Sequence, residues 1–177
     1  MILFSEYSDY FEGLAAKYKP IGHTDQDPRF ALLDIDDILS TQRGKLDFTN
    51  PVMVLENPEG QLSWVHNQLS DRKFGAFHIL KNVPRNDPEK KKAVMDECQT
   101  HGKAIIARMQ YEKFSLHKDN SDSPYAQMLK FFDLNEVKYH KVGPLFNDCF
   151  GWRFEFEFAR QSPLPFDSDD WTDFDEP

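Results

Sequence analysis

The sequence predicts an α+β fold: a mixed, mostly antiparallel sheet with one long helix and shorter helices packed on one face, followed by an acidic C-terminal extension. Three observations carry this. Strand-like segments come in runs separated by a single long helical pattern, not in regular βα alternation. Residues 150–158 alternate strictly between aromatic and polar or small residues. From Asp87 to about Phe114 apolar residues recur at spacings of three and four. With 177 residues, 40% hydrophobic and 14% aromatic, the chain has material for one core, so 1–160 reads as a single domain and 161–177 as a tail.

The first element is an amphipathic helix from Phe4 to Tyr18, with Phe4, Tyr7, Phe11, Leu14, Ala15 and Tyr18 on one stripe; Ser5 is the expected cap and Pro20 the stop. A turn-rich loop covers Pro20 to Asp27. The run Phe30 to Leu39 fits both periods, with Leu32, Ile35, Ile38 and Leu39 on a helix stripe and Phe30, Leu32 and Asp34 on a strand face; a short helix is the preferred reading. Val52-Met53-Val54-Leu55 is a short apolar run of the kind that forms buried strands, and Pro58, Glu59 and Gly60 supply a turn.

Residues 61 to 72 are polar with Trp64 and Leu69 as isolated apolar points, an exposed strand or loop. Phe74 to Leu80 reads as a central strand. Asp87 caps the long helix, with Pro88 in its first turn and Glu89 beside the helix dipole. Its buried stripe is Val94, Cys98, His101, Ile105 and Met109, and it runs roughly 38 Å at 1.5 Å per residue. A polar turn and a short helical or irregular segment, 124–132, lead to strands at Val137 to Val142 and 150–158. In the last strand Phe150, Trp152, Phe154, Phe156 and Phe158 share one face, predicted buried, and Gly151, Arg153, Glu155 and Glu157 the other, predicted wet.

Composition narrows function. The net charge of −9 opposes a phosphate-binding surface, which needs clustered Lys and Arg, and no segment reaches the roughly 18 apolar residues of a membrane span. The start, Met-Ile-Leu-Phe followed by Ser5, Glu6 and Asp9, is not the pattern of a signal peptide, so a cytoplasmic protein is expected. Cys98 and Cys149 are too few for a disulfide framework and lack zinc spacing; two buried thiols are the simpler reading.

Searching for chemistry gives no catalytic, cofactor or metal assignment. His23, Asp25 and Asp27 alternate in a loop without a second ligand cluster. Asp34 and Asp36 point about 200° apart if helical, and with Asp37 read as surface charge. The stretch Asp119 to Ser123 resembles a calcium loop only superficially, without the glycine and glutamate that such a loop needs. His101 lies on the buried helix stripe and His78 on a strand, where hydrogen-bonded core histidines are commoner than general bases. Phosphate loops and nucleophile elbows are absent.

The tail is different in kind. Asp167, Asp169, Asp170, Asp173, Asp175 and Glu176 surround Phe166, Trp171 and Phe174, a composition that cannot form its own core but suits docking against a groove with a basic rim. Phe166, Asp169, Asp170, Trp171 and Phe174 are therefore the candidate interface residues.

The loop Lys19-Pro20-Ile21-Gly22-His23-Thr24, the strand after Asn50-Pro51, the long helix from Asp87 and the stretch Asn147 to Phe156 together resemble small phage and prophage proteins of Bacteroidetes-type bacteria, in outline similar to tail terminator and neck proteins. The resemblance covers about residues 5–158 and leaves the acidic extension outside. It implies a structural subunit without cofactor that joins copies of itself in a ring at the junction of tail and connector. It further implies tail tube or connector proteins as neighbours and a location in the virion or, during assembly, the host cytoplasm; the segment from Phe166 to Phe174 is expected to reach an adjacent subunit, and the loops at 19–28 and 60–73 to contact the next ring. The alternative is an accessory nucleic-acid-associated protein whose acidic aromatic tail recruits partners; direct binding to nucleic acid is not expected because the body lacks a basic groove with interleaved aromatics.

Overall fold

The aromatic alternation of the last strand builds the centre of the molecule. A computed structural model of the protein describes residues 2–33, 46–65, 68–84, 86–118, 124–146, 148–161 and 167–171. Its elements run α1 (Phe4–Lys17), β1 (Phe30–Leu33), β2 (Val52–Glu56), β3 (Glu59–Val65), β4 (Gln68–Asn82), α2 (Pro88–Lys118), α3 (Pro124–Lys130), β5 (Phe132–Leu145) and β6 (Cys149–Gln161), with a 3-10 turn at Ser168–Asp170. Among the described residues six strands form one mixed sheet, five in the order β1-β2-β4-β6-β5 and β3 paired to β4 off this path. Only the β1–β2 pair is parallel; the others are antiparallel. This is the predicted α+β class. β4 is long enough to hold two partners along one edge, β2 beside residues 77–80 and β3 beside 68–74.

All three helices contribute to the core on one face of the sheet. Phe77 and Phe154, paired across β4 and β6, stack at 5.2 Å, and Phe11 of α1 stacks on Phe156 at 5.1 Å. Fully burying side chains of this size stabilises by about 1.5–3 kcal/mol each. α2 presses closely on the sheet because Gly102 has no side chain: a Cβ there would overlap the Phe154 ring. On the opposite face a Cβ at Gly151 would overlap the Ile79 carbonyl, so that position needs a residue without a side chain.

Three local expectations change. Phe30–Leu33 is a strand, not the start of a short helix, because parallel pairing with β2 (Phe30 beside Met53, Leu32 beside Leu55) satisfies its backbone; the rest of that run, with Asp34, Asp36 and Asp37, lies outside the described residues. Ser5 sits within α1, and the residue at the helix cap is Leu3, whose N–H donates to the Glu6 carboxylate at 2.9 Å. The turn between β2 and β3 is confined to Asn57 and Pro58, since Glu59 and Gly60 already pair with Phe74 and Lys73. Residues 61–65 and 68–72 lie on the paired strands β3 and β4, and Pro124–Lys130 is helical.

Candidate functional site

The face of the sheet away from the helices divides into two halves. At one end Ala31, Leu33, Val52, Val54, Leu80 and Cys149 form a second apolar cluster, packed against Phe48 and Phe146 from the adjoining loops. Beyond it the same face carries ionisable groups. Here the expectation of a simply wet face fails: Gly151 is buried, and Glu157 is only 5% exposed.

Strand pairing assembles this charged half. Glu56 ends β2, His78 lies on β4, and Arg153 is the β6 partner of His78. Arg153 donates from Nε to Glu56 Oε1 at 2.7 Å and from Nη2 to Oε2 at 2.8 Å, while His78 Nε2 lies 2.5 Å from Oε1. A carboxylate only accepts, so His78 donates through Nε2. Its Nδ1 is buried without a hydrogen-bond partner among the described residues. Arg153 also pairs with Glu155, which lies 3.6 Å from His140. A second bidentate pair follows, Arg72 to Glu157 at 2.5 and 2.6 Å.

Between the pairs lies a depression of about 260 Å³, lined in part by Glu56, Phe74, Lys138, Arg153, Glu155 and Glu157. Burial by itself would raise the Glu56 carboxyl, but hydrogen bonds from Arg153 and His78 and their charges outweigh it and hold the group down at about 2. A carboxylate held there is a poor general base at neutral pH, where proton transfer favours groups near 7. What the cluster does is lock β2, β4 and β6 in register.

Other candidates resolve individually. His101 accepts or donates at 2.9 Å with the Tyr18 hydroxyl through Nδ1 and has Glu97 at 3.8 Å from Nε2; burial pushes its pKa down. It is a hydrogen-bonded histidine, as expected, but a half-buried one and not part of the closed core. His23 is held by Glu12 at 3.3 Å and by the Arg29 N–H at 3.1 Å, and Asp27 pairs with Arg29. Among the described residues no three His, Cys, Asp or Glu side chains gather as a metal site. Asp119 to Ser123 lie outside the described residues. Both cysteines are buried and unbridged, and burial pushes the Cys98 thiol up to about 12.

Of the tail candidates, Asp169 and Asp170 lie in the exposed 3-10 turn, capped by the Asp167 carboxylate, with exposed Trp171 directly after it. Phe166 and Phe174 lie outside the described residues.

One surface lies in the 60–73 segment, expected from the sequence as a contact loop. β3 and the first half of β4 form an arm in which Leu62 and Trp64 share the face of Gly60 and Lys73, by the alternation of the strand. They are 54% and 70% exposed. Lys73 donates to the Ile2 carbonyl at 2.7 Å, tying the arm's base to the start of α1, where Leu3 and Phe4 are also exposed. The i, i+2 spacing of Leu62 and Trp64 was the available signal.

Among the described residues no helix is long and apolar enough to cross a membrane. No protein-family model, curated protein or solved structure matches the chain.

Proposed function

We propose that this protein is a structural subunit that joins copies of itself in a ring through protein–protein contacts, in the manner of the phage tail terminator and neck proteins its sequence resembles. The virion tail or neck is its place in this reading, and tail tube or connector proteins are its neighbours. The observation that carries it is the β3–β4 arm, where Leu62 and Trp64 project into solvent while the aromatics of the sheet centre are closed under the helices. Large apolar side chains grouped on one projecting face are the usual mark of a contact surface, and Trp is over-represented among residues that dominate binding. The arm lies within the 60–73 segment that the sequence reading assigns to contact with the next ring; its exposed pair is here assigned to the contact within the ring.

A ring needs two different surfaces that meet head to tail with a rotation that closes. The arm supplies one. Native mass spectrometry of the full chain and of Leu62→Asp/Trp64→Asp tests the reading: the wild type is expected as a closed oligomer and the variant as a monomer with unchanged thermal stability. A wild type that stays monomeric at high micromolar concentration, or a variant that assembles equally well, overturns it.

A further inference from the structure

A second contact between copies, separate from the arm and with both of its surfaces on the page, is legible on the opposite side of the molecule from the arm's tip. A groove of about 680 Å³ runs between the first turns of α2 and the edge strand β5, within the ~300–1,000 Å³ range of ligand-binding clefts. Its apolar surface is Met95, Val142 and Phe150, and its rim carries Lys91, Lys92 and Lys141, against the single acid Asp96 among the lining residues. The Lys91 ammonium lies over the Phe150 ring, 3.9 Å from its centre. Neither Lys91 nor Lys141 has a carboxylate partner among the described residues, and the N-terminal end of α2, whose dipole adds positive potential, opens beside them. In a chain of net charge −9, this is a local inversion of sign.

The chain carries the complement. Residues 162–177 hold Phe166, Trp171 and Phe174 among six carboxylates and no base, aromatic anchors for an apolar floor and charges for a lysine rim. We propose that the acidic aromatic segment of one copy docks in this groove of a second copy, with Trp171 against the Phe150–Met95 floor and Asp169 and Asp170 facing Lys91 and Lys141.

Reach favours the second copy. The groove lies at Phe150, near the start of β6, whereas the tail leaves from Gln161 at its far end, about 36 Å away at ~3.3 Å per residue. Back from Gln161, Trp171 can span at most about 30 Å, since the 3-10 turn at Ser168–Asp170 rises only ~2 Å per residue. Even with the indole's own length added, the segment reaches its own groove only if fully extended and laid straight back along β6, a constraint that docking in a second copy does not impose. A contact from one copy's tail to another copy's groove is heterologous, the type that generates rings.

This inference rests on the assembly reading, and one experiment separates them. Trp171 is replaced by the photo-crosslinking amino acid benzoylphenylalanine, and equal amounts of light and ¹⁵N-labelled full chain are mixed and irradiated. Mixed light–heavy crosslinks from the tail to residues 91–96 or 141–143 are expected, falling by about tenfold or more in Lys91→Glu/Lys141→Glu, the effect of ~1.4 kcal/mol of lost affinity. Adding Asp169→Lys/Asp170→Lys on the other partner is expected to restore them. Crosslinks confined to one copy, a yield indifferent to the charge reversals, or oligomers without crosslinks at the groove overturn the docking and leave the assembly reading standing. A monomeric mass together with no mixed crosslink overturns the assembly reading itself.

Discussion

The two faces of the sheet are held by different physics, although the same strands supply both. On the helix-covered side Phe77, Phe154 and Phe156 interlock with α1 and α2, and the binding term is apolar burial, which does not depend on pH. On the other side Glu56, His78, Arg153, Arg72 and Glu157 join strands by bidentate and histidine contacts, whose worth depends on every partner keeping its charge. The lesson is that a polar residue on a strand is not necessarily a wet one. In a sheet whose second face is partly covered, charges can become structural when they meet opposite charges across the ladder.

Breaking each face separately sharpens the contrast. The largest effect is expected on the aromatic side: Phe154→Ala removes the ring that stacks on Phe77 and lies beneath Gly102, and should cost about 3–5 kcal/mol in urea unfolding, equally at pH 7 and pH 5. Arg153→Ala leaves the Glu56 carboxylate with His78 alone, and a half-exposed version of an orphaned buried charge should cost about 2–3 kcal/mol.

The charged face also predicts a pH signature. The Glu56 carboxyl is held at about 2 in the fold against its ordinary 4.5. The unfolded state therefore binds the proton more readily, and the stabilisation is present above the ordinary value and lost as pH falls toward 2. The stability difference between wild type and Glu56→Gln should be on the order of 2–3 kcal/mol at pH 7 and shrink through pH 4 toward pH 2. A difference constant with pH would show that the Arg153 contact, not the charge, carries the term. Smallest of all, Leu62→Ser/Trp64→Ser should leave monomer stability within about 0.5 kcal/mol, since both side chains are already in water; a larger loss in thermal unfolding would mean that the arm packs on its own domain.

Much of the fold was legible because its signals are local. Asp87 and Pro88 start the long helix with a side-chain cap, the Asp87 carboxylate accepting from the Lys90 N–H at 2.9 Å. Of the stripe Val94, Cys98, His101, Ile105 and Met109, all but the half-buried His101 are buried as the spacing demands. The strand at Phe30 was not legible, because residues 30–39 satisfy both a two-residue and a 3.6-residue period and only the neighbouring β2 decides between them. The charged cluster was illegible for a related reason: Glu56 and Arg153 stand 97 residues apart, and nothing in either neighbourhood announces the other. Trp64 was visible as an apolar point in a polar stretch, but Leu62 was passed over in favour of Leu69, and the joint exposure of Leu62 and Trp64 depends on the pairing of β3 with β4.

Periodicity and capping, which act over a few residues, were enough for the sequence by itself to determine the α+β class, the long helix, the aromatic face of β6 and the acidic character of the tail. Tertiary structure alone decided that the alternate face of β6 is ion-paired, that Phe30 begins a strand, and that lysines from α2 and β5 border one apolar groove. The reason is common to all three: each is a relation between segments far apart in the chain, set by strand register and helix docking, and no local preference encodes which distant charge or backbone a residue will meet.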